Sequence, residues 1–299
     1  MKLKSKYDEV DSVYGKKFTY LGVLLEQQED GPIHQSMPQY IEDITRSEFG
    51  AREYSTPADQ YLFDEDPSAQ PLDEAGARVF HSMVMKLMYM CMRVRGDALL
   101  PVLYLSTKVK SPTTSDENKL KRVVGYLKRT RDRCKVISAT EIERVEMFID
   151  ASFSSHPDGA GHSALVAFVE TTATILKSSK QKIGTKNSTE AKLVALSDLY
   201  LVGIWLHEFL GSLGVSLKTP IIYQDNKSTM ALVQSLLNSK PRSRHLNARR
   251  RVMYDEIMIN KSVDLAYLQT NEMVADVLSK PLCGEKFFKF AARLQGTKN

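Results

Sequence analysis

Cysteine is scarce in this chain, with three in 299 residues: Cys91, Cys134 and Cys283. They stand far apart and share no metal-ligand spacing, which argues against a disulfide framework and a zinc site and fits a reducing compartment. No apolar run approaches the roughly 20 residues of a membrane span, so no membrane association is expected. The first thirty residues carry Lys2, Lys4, Lys6, Asp8, Glu9 and Asp11 and lack the apolar centre of a signal peptide. Internal repeats and low-complexity tracts are also missing. Charge of one sign is not in great excess either: 41 Lys and Arg against 36 Asp and Glu leave +5. Net charge alone therefore does not argue for a nucleic-acid partner.

What is present is a globular composition, 42% apolar and 26% charged, on a chain long enough for two cores. The charge is unevenly distributed. Between Asp225 and Asp255 there is no acid, while Lys227, Lys240, Arg242, Arg244, Arg249, Arg250 and Arg251 accumulate. A second acid-free stretch, 171–189, carries Lys177, Lys180, Lys182 and Lys186. Each is either a solvated face or a surface for phosphates.

The pattern changes character near the middle. Alternation around Glu29-Asp30-Gly31-Pro32 predicts a hairpin over 17–37, and Pro38 opens a short helix ending near Gly50. Residues 52–73, with three prolines, read as a connector. Helices follow over 75–94 and 99–109. Thr114-Ser115-Asp116-Glu117 reads as a capping box opening another, with Leu120, Val123, Val124 and Leu127 as its buried stripe. A boundary between 131 and 144 separates this mostly helical part, 1–135, from a second domain, 144–299. There, strands at 145–151, 163–170 and 172–178 precede a long helix, 188–213. A strand at 220–224, helices from about 228 to 237 and 244 to 259, a strand at 263–269 and a helical tail from 272 complete the order. Short connections then favour an α/β fold with one mixed five-stranded sheet flanked by helices.

Four acids occupy strand ends and helix starts. Asp150 closes the first of these strands and Asp225 the fourth. If those strands are parallel neighbours, both carboxylates emerge at the carboxyl edge where α/β sheets place ligands. Glu190 lies in the first turn of the long helix and Asp276 in the first turns of the last. Each also has an ordinary explanation. Glu190, three residues after Asn187, can serve a helix cap; Asp276 suits a helix N-terminus; Asp225-Asn226 suits a turn; Asp150 can be a solvated strand end. Together, four acids at one edge repel one another unless cations are bound.

Phe148-Ile149-Asp150-Ala151-Ser152, Lys177-Ser178-Ser179-Lys180-Gln181, Ser188-Thr189-Glu190-Ala191, Tyr223-Gln224-Asp225-Asn226-Lys227-Ser228 and Ala275-Asp276-Val277-Leu278-Ser279-Lys280-Pro281-Leu282 resemble, in order and spacing, the RNase H domain of copia-type retrotransposon Pol polyproteins. Upstream, Tyr20-Leu21-Gly22-Val23, Leu87-Met88-Tyr89 and Tyr104-Leu105-Ser106 resemble the segment after the polymerase palm. The resemblance implies an RNase H-like fold preceded by a reverse-transcriptase remnant. It also implies endonucleolytic hydrolysis of RNA in RNA–DNA hybrids with two Mg²⁺ ions, or Mn²⁺, about 3.5–4 Å apart. Asp150 would bridge both ions, Glu190 and Asp225 would hold one, and Asp276 would help hold the other. Hybrid contacts are expected from Lys180, Lys182, Asn226, Ser228, Arg244, His245 and Arg249, with shape and 2′-hydroxyls read in preference to base sequence. His245 is read as structural or substrate-contacting, without a general-acid role. The rest of a Pol polyprotein is the implied partner, and cytoplasmic virus-like particles or the nucleus the implied setting. The oligomeric state is not set by the sequence.

The match departs from the family in two places. No adjacent Asp-Asp pair exists, so the chain is not a polymerase on its own. Asn247-Ala248 and the three arginines after them replace the family's commoner Asp-Ile-Arg-Tyr text. Three rivals stand beside the nuclease: a catalytically ineffective relic or domesticated nucleic-acid-binding module; an integrase-like nuclease, which would place its last acid as a glutamate on a later helix; and a purely structural role, which explains the fold but leaves the acid cluster unexplained.

Overall fold

The computed structural model describes residues 14–138, 141–235 and 244–297. Strands β1 (Lys17–Tyr20), β2 (Val23–Gln27) and β3 (Ile33–Ser36) form two successive hairpins, where the alternation predicted one. The missed turn is Leu21-Gly22, with φ +50° and +75°. A two-residue hairpin loop of this kind requires positive φ at both central residues. The strained Leu21 is held by the Tyr89 hydroxyl, which donates to its carbonyl at 2.6 Å. β4 (Lys135–Ile137) then pairs with β3 to complete an antiparallel sheet.

Between β3 and β4 lie α1 (Pro38–Thr45), α2 (Glu74–Cys91), α3 (Leu99–Ser106) and α4 (Thr114–Arg129). The capping box of α4 sits one residue earlier than expected. Thr113 is the extended N-cap and exchanges hydrogen bonds with Asp116, and the predicted stripe of Leu120, Val123, Val124 and Leu127 is buried.

The second sheet has five strands in the order β7-β6-β5-β8-β9. β5 (Val145–Ser152), β6 (His162–Val169) and β7 (Thr172–Lys180) run antiparallel, while β8 (Ile221–Gln224) and β9 (Asp264–Tyr267) are parallel to β5. The expected mixed α/β sheet is therefore present. Alternation along β5 sends Met147, Ile149 and Ala151 towards the core shared with α5 (Ser188–Ser212) and α7 (Arg244–Tyr254). Phe148 faces the opposite core, which it shares with α2, α3, α4 and the C-terminal helices.

Three elements differ from expectation. α6 spans Lys227–Gln234, and α7 ends in a wider π turn over Asp255–Ile259. The C-terminal helix is split into α8 (Asp276–Ser279) and α9 (Gly284–Gln295). Pro281 explains the split, because it disfavours helical geometry in the residue before it, and Lys280 is extended at φ −141°, ψ 143°. A further difference concerns membrane spans: by length and composition α5 qualifies as one, contrary to the sequence reading, yet its sheet-facing side is buried against β5. A long apolar helix packed on a sheet passes the same compositional test.

Candidate functional site: a carboxylate and lysine cluster

Because β5 and β8 are parallel neighbours paired at Phe148 and Tyr223, Asp150 and Asp225 emerge at the same sheet edge. α8 brings Asp276 to that edge, where Ser279 Oγ donates to Asp150 Oδ2 at 2.6 Å. Asp150 and Asp276 are almost fully buried.

The fourth partner is a lysine. Lys192 Nζ donates to Asp150 Oδ1 at 2.6 Å and also to Asp225 Oδ1. Lys280 Nζ lies 3.1 Å from Asp150 Oδ2 and 2.7 Å from Asp276 Oδ1. Lys286 Nζ donates to Asp276 Oδ2 at 2.6 Å, and Thr270 Oγ1 donates to Asp225 Oδ2 at 3.1 Å. Each of the six carboxylate oxygens thus accepts from a protein donor, and three carboxylates meet three ammonium groups.

Protonation follows from this arrangement. Burial of Asp150 opposes its ionisation, but the Lys280 and Lys192 ammonium groups outweigh it and hold the carboxyl well below its usual range. Burial and the charge of Asp150 push Asp276 up. For both Lys192 and Lys280, burial favours the neutral amine, but the neighbouring aspartates prevail and raise the pKa.

Glu190 occupies the position its ordinary explanation required. Its amide donates to the Asn187 side chain at 3.0 Å, and its Oε2 accepts from the Lys186 amide at 2.8 Å, so it serves the start of α5. Lys192 is the residue the sequence reading missed. The sheet-facing stripe of α5 runs through Leu196, Leu199, Gly203 and Leu206, and one turn back from Leu196 it lands on Lys192. Position 190 lies two residues away, on a different side of the helix. Periodicity applied to the first turn held this signal.

Two divalent ions do not fit the residues as they stand. A hard cation needs oxygen ligands whose negative charge is not already balanced, and here the Lys192, Lys280 and Lys286 ammonium groups balance the three carboxylates. Among the described residues, no group of three or more His, Cys, Asp or Glu side chains is arranged to hold a metal ion.

The expected hybrid contacts are dispersed. Lys180 is paired with Asp158 at 2.6 Å, while Lys182 is exposed. Asn226 caps α6 by accepting from the Thr229 amide at 3.0 Å, and Ser228 is exposed beside it. Arg249 turns inward to Ser197, at 2.6 Å, and to Asp198. Arg244 and His245 stand in the first turn of α7. Lys240 and Arg242 lie outside the described residues.

No family model matches the chain. It is 26% identical over 259 residues to the retrovirus-related Pol polyprotein from transposon TNT 1-94 of Nicotiana tabacum, covering 84% of this chain and 19% of that protein. With the Pol polyprotein from transposon RE2 of Arabidopsis thaliana it is 24% identical over 218 residues, covering 72% and 15%. With the Ty1-ER2 Gag-Pol polyprotein of Saccharomyces cerevisiae it is 22% identical over 200 residues, covering 65% and 11%. The chain therefore spans less than a fifth of these relatives. Among solved structures, the foamy viral protease-reverse transcriptase in complex with RNA/DNA hybrid matches at 11% identity and TM-score 0.49, over 85% of this chain and 29% of that one. LC11-RNase H1 matches at 15% identity and TM-score 0.34, over 46% and 93%.

Proposed function

Because the homologues of this chain are copia-type retrotransposon Pol polyproteins, we propose that it is the RNase H-bearing stretch of such a polyprotein and holds RNA–DNA hybrid without cleaving it effectively. The observation that carries this reading is Lys192, which spans the aspartates of β5 and β8 at the sheet edge. Residues 1–135 act in this reading as the reverse-transcriptase remnant that supports the hybrid. Backbone phosphates are drawn to the basic stretches by charge, and Lys182 and Ser228 are exposed for contact. Hybrid is distinguished from duplex DNA by its groove shape and 2′-hydroxyls.

A second reading is metal-assisted hydrolysis of the RNA strand. The gathering of Asp150, Asp225 and Asp276 at one edge favours it. Mg²⁺ or Mn²⁺, if bound there, would supply an activated water and charge stabilisation at the departing oxygen. It requires Lys192 and Lys280 to leave their partners first.

Fluorescence anisotropy of labelled hybrid, duplex DNA and single-stranded RNA, run with EDTA and with Mg²⁺ beside a cleavage gel, separates the two. Hybrid-selective binding that persists in EDTA, with intact RNA in Mg²⁺, is the expected result. Mg²⁺-dependent cutting abolished by Asp150→Asn would establish the second reading, and absence of hybrid preference would defeat both.

A further inference from the structure

The carboxylate cluster carries its own cations. We propose that Lys192 is a built-in counter-cation that closes this cluster to divalent metal ions, and that removing its ammonium group opens a metal site. This deepens the reading of the chain as a non-cleaving hybrid binder and rests on it only for the consequence that bound RNA stays intact.

The argument starts from location. Lys192 is held on the sheet-facing side of α5, with its side chain 9% exposed and its Nζ between Asp150 and Asp225. Asp150 is fully buried, so its charge requires a nearby positive partner. An ammonium group and a divalent ion are alternative solutions to that same requirement, and both cannot occupy it. An entering dication would have to break two charge-assisted hydrogen bonds and leave the Lys192 ammonium buried beside a second positive centre. Water cannot easily compensate a lysine held so deeply. Lys280 closes the other side in the same manner, by joining Asp150 to Asp276.

Removing the Lys192 charge reverses the balance. Lys192→Met keeps an unbranched stem of similar length and leaves oxygens of Asp150 and Asp225 without their shared donor. Lys192→Glu adds a further oxygen ligand from α5 at the same place. Both variants face buried negative charge that a divalent ion can neutralise, so both acquire an affinity the native chain lacks.

The test uses the full chain and Mn²⁺ alone. Free Mn²⁺ is followed by electron paramagnetic resonance, and melting temperature is followed with and without the ion. The native protein should leave the Mn²⁺ signal and its own melting temperature unchanged. Lys192→Glu and Lys192→Met should each deplete free Mn²⁺ and melt higher in its presence, and adding Asp150→Asn to either should remove both effects. A variant that folds only when Mn²⁺ is supplied also supports the proposal. Stoichiometric, Asp150-dependent Mn²⁺ binding by the native chain would overturn it, whatever the variants do. So would folded Lys192→Met that gains no Mn²⁺ affinity. Hybrid binding is measured separately in EDTA: its absence would sink the proposed function while leaving the metal result intact.

Discussion

Gly203 of α5 lies against Met147 of β5 so closely that a Cβ at position 203 would fall 2.0 Å from Met147 Sδ. This contact sets how deeply the helix sits on the sheet. Lys192, eleven residues earlier on the same stripe, reaches Asp150 from that depth. Gly203→Ala forces the helix outward or Met147 out of its rotamer, at a cost of about 1–3 kcal/mol. The urea midpoint should fall accordingly, and Met147→Ala combined with Gly203→Ala should recover part of the loss. A midpoint unchanged by Gly203→Ala would show that the contact does not set the packing.

Asp150→Asn should destabilise the fold strongly, because Lys192 and Lys280 would then face a neutral amide. Breaking a buried ion pair from one side costs about 3–5 kcal/mol. In a double-mutant cycle with Lys192→Met, the combined loss should be smaller than the sum of the single losses, since the second change removes the stranded charge. Additive losses would mean that the two groups do not interact.

His156 and His162 predict an acid-sensitive stability unrelated to the carboxylates. Ser178 Oγ donates to the Leu278 carbonyl at 2.7 Å, so His162 Nε2 serves as donor to Ser178 and His162 Nδ1 as acceptor from His156 Nε2. His162 must be neutral for this chain of bonds, because its Nδ1 accepts, and burial favours the neutral form of His156 as well. Burial, with Lys180 nearby, lowers His156 to about 4, and burial, with His156 nearby, lowers His162 to about 3. The unfolded chain therefore binds more protons than the folded one at pH below the ordinary value of about 6.5. Stability is full above that value and is lost as pH falls towards 4 and then 3. Urea melts between pH 7 and pH 4 should show this slope, and His162→Gln should flatten it; an equal slope in the variant would assign the effect elsewhere.

Hybrid binding should weaken as salt rises, with a slope set by the number of phosphates contacted. Lys182→Ala should reduce that slope by about one, as loss of a single phosphate contact does. Lys180→Ala should change it less, because Lys180 is already engaged by Asp158. Equal effects of the two substitutions in anisotropy titrations across salt would contradict this division.

The local pattern alone determined most of the second sheet. Dense β-branched and apolar runs marked β5, β6 and β7, and the cap at Asn187 agrees with the start of α5. Asp150, Asp225 and Asp276 were legible because strand ends and helix starts are short-range features. β4 was not: its three residues carry little pattern and are defined only by pairing with a strand a hundred positions earlier. Nor did sequence reveal that Phe148 and Phe168 share a core with α2, α3 and α4, because burial against a distant element leaves no separate periodicity. The choice between Glu190 and Lys192 was likewise tertiary. Both are polar, both lie in the first turns of α5, and motif matching favours the acid. Only the rotation of the helix on the sheet, set by contacts such as Gly203 with Met147, turns one towards the helix cap and the other between two aspartates.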